Sequence, residues 1–292
     1  MKSYPVAVFA HNEESNIVRC LDSLDQGAGL DIFVLANGCS DGTVARVRRY
    51  ALDHPEVRVV ELERGDKASA WNAFVHGFAP DNAETCYFID GDVRAGEGAL
   101  GRLARALERN PEAHVAAAIP GSGRNRRAQL DEQIETHGVQ GNLYAVRGSF
   151  LSAMRREQLR LPAGFVRDDG LLGALAKWDL SPFRGAWNPD RVIVVTDARF
   201  LFDPVEMFSP KGIRQYWNRK IRYSIGHFET SLLKGEMKAR GLTGIPADVL
   251  ALYGKAEMPK LRWRGVDTLF DWMALMRIAR IRNRYANPKR GG

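Results

Sequence analysis

Two aspartates separated by one glycine follow an apolar segment of the chain. Asp90-Gly91-Asp92 comes directly after Tyr87-Phe88-Ile89, a pattern that predicts a buried strand ending in two carboxylates. Since alternate side chains of an extended chain point to the same side, both carboxylates can reach one cation. Oxygen ligands suit Mn²⁺ or Mg²⁺, and such ions commonly bind one or two protein carboxylates together with substrate phosphates. The motif therefore predicts a metal site, with an ordinary Asp-Gly turn as the alternative.

A second pair of acids, Asp168-Asp169, precedes an apolar segment that begins Gly170-Leu171-Leu172. Two neighbouring carboxylates repel each other, which tends to raise one pKa toward the working pH of an enzyme. A carboxylate with such a pKa can act as a general base. The alternative is structural, since both acids could cap a helix or complement the dipole of its first turn.

The elements that must position these acids alternate along the first hundred or so residues. Predicted strands cover Val6–Ala10, Asp31–Ala36, Val57–Glu61 and Thr85–Asp90, and helical patterns cover Glu13–Leu24, Thr43–Leu52 and Lys67–Phe78. This alternation predicts an α/β fold with a largely parallel sheet. Ligands of such sheets bind at the carboxyl ends of the strands, so we expect His11–Glu13, Asn37–Asp41 and Asp90–Asp92 to share one edge.

The remaining pattern predicts further elements and a change of composition. We expect helices at Glu97–Arg109 and Phe150–Arg156, strands at His114–Ile119, Leu143–Val146, Arg191–Thr196 and Arg199–Phe202, and a mobile basic loop at Gly121–Arg127. Beyond Pro204 the patterns are helical, at Ile213–Leu233 and Asp267–Ile281. We therefore predict one domain over residues 1–204 and a helical region over 205–292.

Composition indicates a soluble globular protein that binds anionic partners. Hydrophobic residues make up 45% and charged residues 26% of the chain, and the net charge is +7. The positive charge is concentrated after Lys255, which suits nucleotide diphosphates, lipid headgroups or nucleic acid. The short apolar segment at the start does not suit a signal peptide, and three scattered cysteines suggest neither disulfides nor zinc. We expect a cytoplasmic protein.

Five segments of the chain together resemble the inverting family 2 glycosyltransferases of the GT-A fold. They are Pro5–Glu14, Ala36–Thr43, Arg64–Asn72, Asp90–Asp92 and Asp168–Leu172. The resemblance implies a Rossmann-like, mostly parallel sheet flanked by helices, with a helical C-terminal extension. It also implies transfer of a hexose from a UDP- or GDP-sugar to an acceptor hydroxyl, with Mn²⁺ or Mg²⁺ as cofactor.

The resemblance also assigns roles to individual residues. Asp169 takes the position of the base, and Asp168 would orient the helix or the acceptor. Asp90 and Asp92 would bind the metal, with His227 as a third ligand. Donor contacts fall on Ala10, Asn12, Glu13, Asn37, Lys67, Asp90, Arg219 and Arg222. The chain departs from the family at Ala36-Asn37, where many members carry two aspartates, so the nucleobase stays open.

Simpler interpretations exist for three of these side chains. Lys67 could be a solvated lysine, and Arg219 and Arg222 could form the basic face of an exposed helix. His227 could have no role at a metal.

The C-terminal segment combines aromatic and basic residues in a way that suits an anionic membrane surface. The aromatic and apolar members are Trp263, Phe270, Trp272 and Met276, and the basic members are Arg262, Arg264, Arg277 and Arg280. Packing of this helix into a core is the alternative. If the helix binds lipid, the protein is peripheral on the inner face of the membrane.

The function predicted from the sequence is metal-assisted, inverting glycosyl transfer in bacterial-type glycolipid or polysaccharide synthesis. The acceptor could be lipid-linked or a saccharide, and no nucleic acid partner is expected. One alternative is a sugar-phosphate nucleotidyltransferase, but His11-Asn12-Glu13-Glu14 lacks the glycine-rich loop that such an enzyme needs. An NAD-dependent oxidoreductase fails for the same reason. The other alternative is a non-catalytic basic binding protein on a transferase scaffold.

Overall fold

The computed structural model describes residues 4–24, 29–123, 126–203, 210–255 and 258–286. The strands are β1 Tyr4–Ala10, β2 Leu30–Asn37, β3 Val57–Leu62, β4 Thr85–Asp90, β5 Val93–Ala95, β6 Val115–Pro120, β7 Leu143–Arg147 and β8 Val192–Phe202. The helices are α1 Ile17–Asp22, α2 Thr43–Tyr50, α3 Lys67–Ala73, α4 Ala99–Arg109, α5 Arg126–Thr136, α6 Gly148–Arg156, α7 Asp168–Lys177, α8 Pro210–Arg240, α9 Leu250–Lys255 and α10 Thr268–Ala286. A π-helical turn, Phe74–Phe78, continues α3.

All eight strands form one sheet in the order β3-β2-β1-β4-β7-β6-β8-β5. Strands β3, β2, β1 and β4 run parallel to one another, and β6 runs parallel to β8. Strand β7 is antiparallel to both of its neighbours, and β5 is antiparallel to β8. The sheet is therefore mixed, and its parallel half brings the carboxyl ends of β1, β2 and β4 to one edge.

Helices cover both faces of the sheet, which explains why the central strands are apolar on both sides. One apolar layer lies under α1 and α4, and the other lies under α3, α6 and α7. In the second layer Phe88 stacks on Tyr144, with ring centroids 5.0 Å apart, and on Trp71, at 5.8 Å. These rings pack beneath the strand that ends at Asp90.

The C-terminal helices pack into the same second layer. Met237 of α8, Leu252 of α9 and Ile278 of α10 are buried in the cluster that contains Phe88. The domain boundary at residue 204 stays a prediction, since residues 204–209 lie outside the described residues. Within the described part of the chain, no helix is both long enough and apolar enough to cross a membrane.

The predicted pair of strands near the end of the sheet was wrong. The expected pair of strands at Arg191–Thr196 and Arg199–Phe202 is the single strand β8, because a shift of register opposite Ala118 and Ile119 lets the pairing with β6 continue. The segment expected to be a mobile loop leads into α5, which begins at Arg126. Residues 124 and 125 of that segment lie outside the described residues.

Candidate active site

Asp90 ends β4 at the edge predicted from the sequence. Its N–H donates to the carbonyl oxygen of Asn142 at 3.0 Å, and the N–H of Gly91 donates to the carbonyl oxygen of Phe9 at 2.8 Å. The Asn142 amide also approaches Asp90 Oδ2 at 3.4 Å. The Asp90 carboxylate is thus fixed between β1 and the segment before β7, while Asp92 is exposed beyond it.

Lys67 joins Asp90 at the start of α3. Asp66 caps this helix by accepting from Ser69 N–H at 2.9 Å, which places Lys67 at the first helical position. The Lys67 ammonium forms an ion pair with Asp90, donates to the carbonyl oxygen of Gly141 at 2.7 Å, and lies 5.3 Å from the centroid of the Phe9 ring. The interpretation of Lys67 as a solvated lysine is therefore wrong.

The two acids of α7 lie beside the same ammonium. Asp169 Oδ2 accepts from the N–H of Gly141 at 2.9 Å, and its Oδ1 accepts from the N–H of Gly170 at 2.7 Å. Asp168 is buried, with 8% of its surface exposed. Both acids belong to the first turn of the helix, as the structural alternative predicts, and the role of Asp169 as a base stays a prediction.

Burial and mutual repulsion decide the protonation of this cluster. Burial raises the pKa of Asp168 to about 7, with Lys67 opposing the shift and Asp169 adding to it. Burial likewise raises the pKa of Asp90 to about 6, against the effect of Lys67 and with that of Asp92. For Lys67, burial alone would lower the pKa, but Asp90 and Asp168 outweigh it and the pKa rises. The ammonium therefore stays charged beside Asp90 and Asp168, whose pKa values lie near neutrality.

Gly141 and Asn142 complete the cluster and were missed from the sequence. A Cβ on Gly141 would lie 3.0 Å from Lys67 Nζ and 3.1 Å from Asp169 Oδ2. Glycine at this position therefore allows both side chains to hydrogen-bond to the backbone of Gly141. The only sequence signal is the position of Gly141 and Asn142 directly before the strand Leu143–Val146. Because that strand pairs antiparallel with β4, its start lies beside the end of β4.

Asn37 is buried and uses its hydrogen bonds within the protein. With its amide nitrogen toward the strand ends, it donates to the carbonyl oxygens of Ala10 at 2.6 Å and Leu35 at 3.2 Å, and its oxygen accepts from Asp66 N–H at 3.3 Å. The His11 ring lies against the backbone oxygen of Asn37 at 2.6 Å. Asn37 therefore ties the ends of β1 and β2 to the start of α3.

Asn12 and Glu13 hold the loop after β1 to the loop after β2. Asn12 has a left-handed backbone, with φ of 58°, and its side-chain oxygen accepts from Ser40 N–H at 2.8 Å. The N–H of Glu13 donates to Thr43 Oγ1 at 2.8 Å, and its carboxylate accepts from Asn16 at 2.7 Å. Burial raises the pKa of Glu13, the Asn16 bond opposes this, and Asp92 and Asp90 add to it. The Ala10–Glu13 segment thus borders the acids.

The predicted site residues of α8 are Arg219, Arg222 and His227. Arg219 and Arg222 are exposed on this helix. His227 packs edge-on against Phe228, with ring centroids 5.6 Å apart, and burial together with Arg262 and Arg167 lowers its pKa. In the described part of the chain, no three His, Cys, Asp or Glu side chains form a group that could hold a metal. The structure therefore does not bring His227 to Asp90 and Asp92.

The remaining oxygen ligands fit a divalent cation whose coordination would be completed by oxygens of a substrate. Asp90 and Asp92 offer hard oxygens at the end of one strand, and a diphosphate would supply further oxygens. Lys67 lies at a helix N-terminus beside them, where an anionic group is favoured. Asp169 presents a carboxylate that is oriented by two backbone N–H groups.

Comparisons with known proteins identify the family to which the chain is similar. Residues 6–162, more than half of the chain, match the family model described as glycosyl transferase family 2. No curated protein matches the chain.

Solved structures show the same fold at low sequence identity. The mannosyltransferase PcManGT from Pyrobaculum calidifontis, in complex with GDP-Man and Mn²⁺, is 21% identical with a TM-score of 0.61, over 99% of this chain and 76% of that one. Residues 1–349 of S. aureus TarS are 14% identical with a TM-score of 0.51, over 100% and 93% of the two chains. The architecture is the GT-A fold, as predicted.

Proposed function

The chain belongs to glycosyl transferase family 2, and from this membership we propose that it moves a hexose from a nucleoside diphosphate sugar to an acceptor hydroxyl, with inversion at the anomeric carbon. The observation that carries the proposal is the cluster of Lys67, Asp90, Asp168 and Asp169 at the carboxyl edge of the parallel strands. Ligands of open α/β sheets bind at this edge.

Asp90 and Asp92 would hold Mn²⁺ or Mg²⁺ together with the donor diphosphate. The bound cation supplies positive charge that stabilises the leaving diphosphate. The mannosyltransferase from P. calidifontis holds Mn²⁺ with its GDP-sugar, which supports the same use of metal here. Since His227 lies among Arg167 and Arg262, the proposed site has two protein ligands.

Lys67 would also bind the donor diphosphate, together with the metal ion on Asp90 and Asp92. Its ammonium neutralises Asp90 and reaches the Gly141 carbonyl oxygen, so its position is set before any donor arrives. Arg219 and Arg222 are exposed on α8 and would add positive charge toward the same group. A preorganised set of cations is the usual means of stabilising a leaving diphosphate.

Asp169 would take the proton of the acceptor hydroxyl. Its carboxylate is oriented by the N–H groups of Gly141 and Gly170, and it is more exposed than Asp168. Asp168 is buried and has a pKa of about 7, so it suits a positioning role behind Lys67. This division of roles makes Asp169 the catalytic residue of the pair.

The nucleobase would contact the loops after β1 and β2. The side chain of Asn37 already makes hydrogen bonds to Ala10, Leu35 and Asp66. The nucleobase would therefore be recognised by the backbone of Ala10 and by the loop that carries Asn12 and Glu13. UDP and GDP donors both remain in the proposal, because one structural neighbour holds GDP-Man and another, S. aureus TarS, holds UDP. We place the reaction in glycolipid or polysaccharide synthesis, with a lipid-linked or saccharide acceptor.

Thermal unfolding with a panel of nucleoside diphosphates tests the proposal. We expect one of them to raise the Tm in the presence of Mn²⁺, since a ligand at about 100 times its Kd stabilises by roughly 2.7 kcal/mol. Chelator and Asp92→Asn should each remove the shift, whereas Asp197→Asn, an exposed acid beyond the site, should keep it. If no nucleotide stabilises the protein under any condition, a non-catalytic binding protein becomes the better account.

A further inference from the structure

The region after α9 exposes large apolar side chains that the transfer reaction does not need. Trp263 is 89% exposed, Trp272 51%, Met276 53% and Leu269 45%. On α10, Leu269, Trp272, Met276 and Arg280 follow one another at spacings of three and four residues, so they share one face of the helix. We name Trp217, Trp263, Leu269, Trp272 and Met276 the aromatic surface.

The aromatic surface belongs to an ordered part of the molecule. Arg262 makes two hydrogen bonds to the fully buried Asp271, at 3.0 and 2.9 Å, and Ser224 of α8 donates to the same carboxylate at 2.5 Å. Lys220 of α8 pairs with Asp267 at 3.0 Å. These bonds fix the segment that carries Trp263 to both helices, so its exposure is a property of the fold.

An aromatic contact links α8 to the same place. The Trp217 ring packs on Phe270 with centroids 5.1 Å apart, and Trp217 remains 41% exposed. Phe270 and Arg262, which the sequence assigned to a membrane-facing set, point inward instead, since Phe270 is 6% exposed and Arg262 is paired with Asp271. The exposed set therefore comes from α8, α10 and the segment between α9 and α10.

Basic residues are frequent in the segment that carries most of the aromatic surface. Residues 258–286 contain seven arginines and lysines and two acids, Asp267 and Asp271. Both acids are already neutralised, by Lys220 and Arg262 respectively. Arg277 and Arg280 are exposed on α10 beside Met276. The segment that carries most of the aromatic surface therefore contains more basic than acidic residues.

We propose that the aromatic surface docks on an anionic lipid membrane. Tryptophan, leucine and methionine insert at the boundary between headgroups and acyl chains, and arginine pairs with anionic headgroups. A second copy of this chain is disfavoured as the occupant of this surface. A symmetric dimer would bring two equally basic segments together, and their positive charges would repel each other. The proposal does not depend on the transfer reaction, and it gives the C-terminal helices a role that the carboxylate site leaves open.

Flotation with vesicles tests this proposal on the full chain. We expect wild-type protein to float with vesicles of phosphatidylcholine and phosphatidylglycerol in equal amounts, and not with phosphatidylcholine alone. Trp263→Ser with Trp272→Ser should remove most of the bound fraction. Trp187→Ser is the matched control, since Trp187 is 48% exposed and packs on Trp178, away from α10.

A pair of charge variants separates specific docking from general attraction. Arg277→Gln with Arg280→Gln should lower partitioning about thirtyfold at low salt, because each basic side chain near an anionic surface contributes roughly fivefold. Arg105→Gln with Arg109→Gln makes the same change of net charge on α4, under the other face of the sheet, and should have little effect.

Three outcomes would overturn the proposal. One is the absence of wild-type protein from the floating fraction of both vesicle types. Another is equal loss of binding in the α10 and α4 charge variants. The third combines two observations: light scattering shows that the wild type is a dimer and the double tryptophan variant a monomer, and vesicles bind neither protein. A second copy of the chain would then be the occupant of the aromatic surface.

Discussion

The carboxylates of the candidate site differ in exposure, and the roles that we propose for them rest on this difference. Asp92 is exposed, Asp169 is partly exposed and Asp168 is buried. A group that meets substrate must be accessible, whereas a buried acid acts on its neighbours. The proposed roles of metal ligand, base and positioning acid follow this order of exposure.

Asp169→Asn should remove the base and leave the donor site intact. Since a general base typically contributes about 10²- to 10⁴-fold in rate, we expect kcat to fall within that range. The Tm shift caused by nucleotide and Mn²⁺ should stay as in wild type. Asp179→Asn, an acid paired with His114 away from the cluster, is the control for the change of charge. An unchanged kcat in Asp169→Asn would exclude this residue as the base.

Asp168→Asn should change how stability depends on pH. The folded-state pKa of Asp168 is about 7, above the ordinary value of 3.8, so the native state holds this proton more tightly than the unfolded chain. Its ionisation costs stability as pH rises from about 4 to about 7. In urea titrations with chelator present, the free energy of unfolding should therefore fall less over this window in Asp168→Asn than in wild type. Parallel curves would contradict the raised pKa.

Lys67→Met should destabilise the protein, because it leaves Asp90 and Asp168 without their counter-charge. Removing one partner of a well-buried pair costs about 3 to 5 kcal/mol, and we expect roughly half of that here, since about a quarter of each side chain is exposed. The loss should be larger at pH 8 than at pH 5, where Asp90 and Asp168 are protonated. A urea titration of Lys67→Met at each pH measures it, and an equal loss at both would count against the ion pair.

Single residues also mark where sequence reasoning ended. Asp90, Asp92, Lys67 and Asp169 could be chosen as candidates because they lie in motifs with a recognisable spacing. Gly141 could not, because its importance comes from two side chains that reach it from α3 and α7. His227 was proposed as a ligand from its region of the chain alone, and the packing of α8 places it among arginines.

At the scale of elements, the loops after β2 and β3 must touch so that the proposed donor site can form at the carboxyl edge of the sheet. Gly38 has φ of +59°, and a Cβ there would lie 2.6 Å from the backbone nitrogen of Gly65. The N–H of Gly38 donates to the Leu62 carbonyl oxygen at 2.7 Å. This contact sets the start of α3, and therefore the position of Lys67.

Gly38→Ala should separate these loops. A left-handed backbone costs a non-glycine residue about 1 to 3 kcal/mol, and the clash with Gly65 adds to that cost. We expect a loss of at least about 2 kcal/mol in the free energy of unfolding and weaker nucleotide binding. Gly254→Ala on α9, where a Cβ meets nothing within 4 Å, should leave both measurements unharmed. Equal stability of the two variants would show that the contact is unimportant.

The alternation of short strands and helices predicted most elements because each has a distinct period of apolar residues. Strand β8 was divided in the prediction at residues 197 and 198, where no local signal reveals that pairing with β6 continues past a register shift. Strand β7 joins the sheet antiparallel to β4, a non-local choice that the sequence pattern does not encode.

At the scale of the whole molecule, the sheet and the C-terminal helices share one apolar layer. Ala274 and Ile278 of α10 are fully buried in the cluster that also holds Phe9 and Phe88. Arg64 of the loop after β3 pairs with Asp248 before α9 at 2.7 Å. Residues on both sides of position 204 therefore contribute to one apolar layer, and the domain boundary itself stays a prediction.

We expect the full chain to unfold in a single transition. Far-ultraviolet circular dichroism and tryptophan fluorescence should give the same midpoint in urea, because elements that share a core unfold together. Asp271→Ala should shift both midpoints together, since it breaks the bonds to Arg262 and Ser224 that join α8 and α10. Two separated transitions would instead support independent domains.

Proton NMR of a nucleoside diphosphate sugar incubated with the protein, the diamagnetic ion Mg²⁺ and water as acceptor tests the central claim most directly. We predict release of the nucleoside diphosphate together with free sugar that first appears as the anomer opposite to that of the donor. Chelator, Asp92→Asn and Asp169→Asn should each suppress the reaction. Release of the same anomer as the donor, or turnover that persists in chelator and in Asp92→Asn, would contradict metal-assisted inverting transfer at this site.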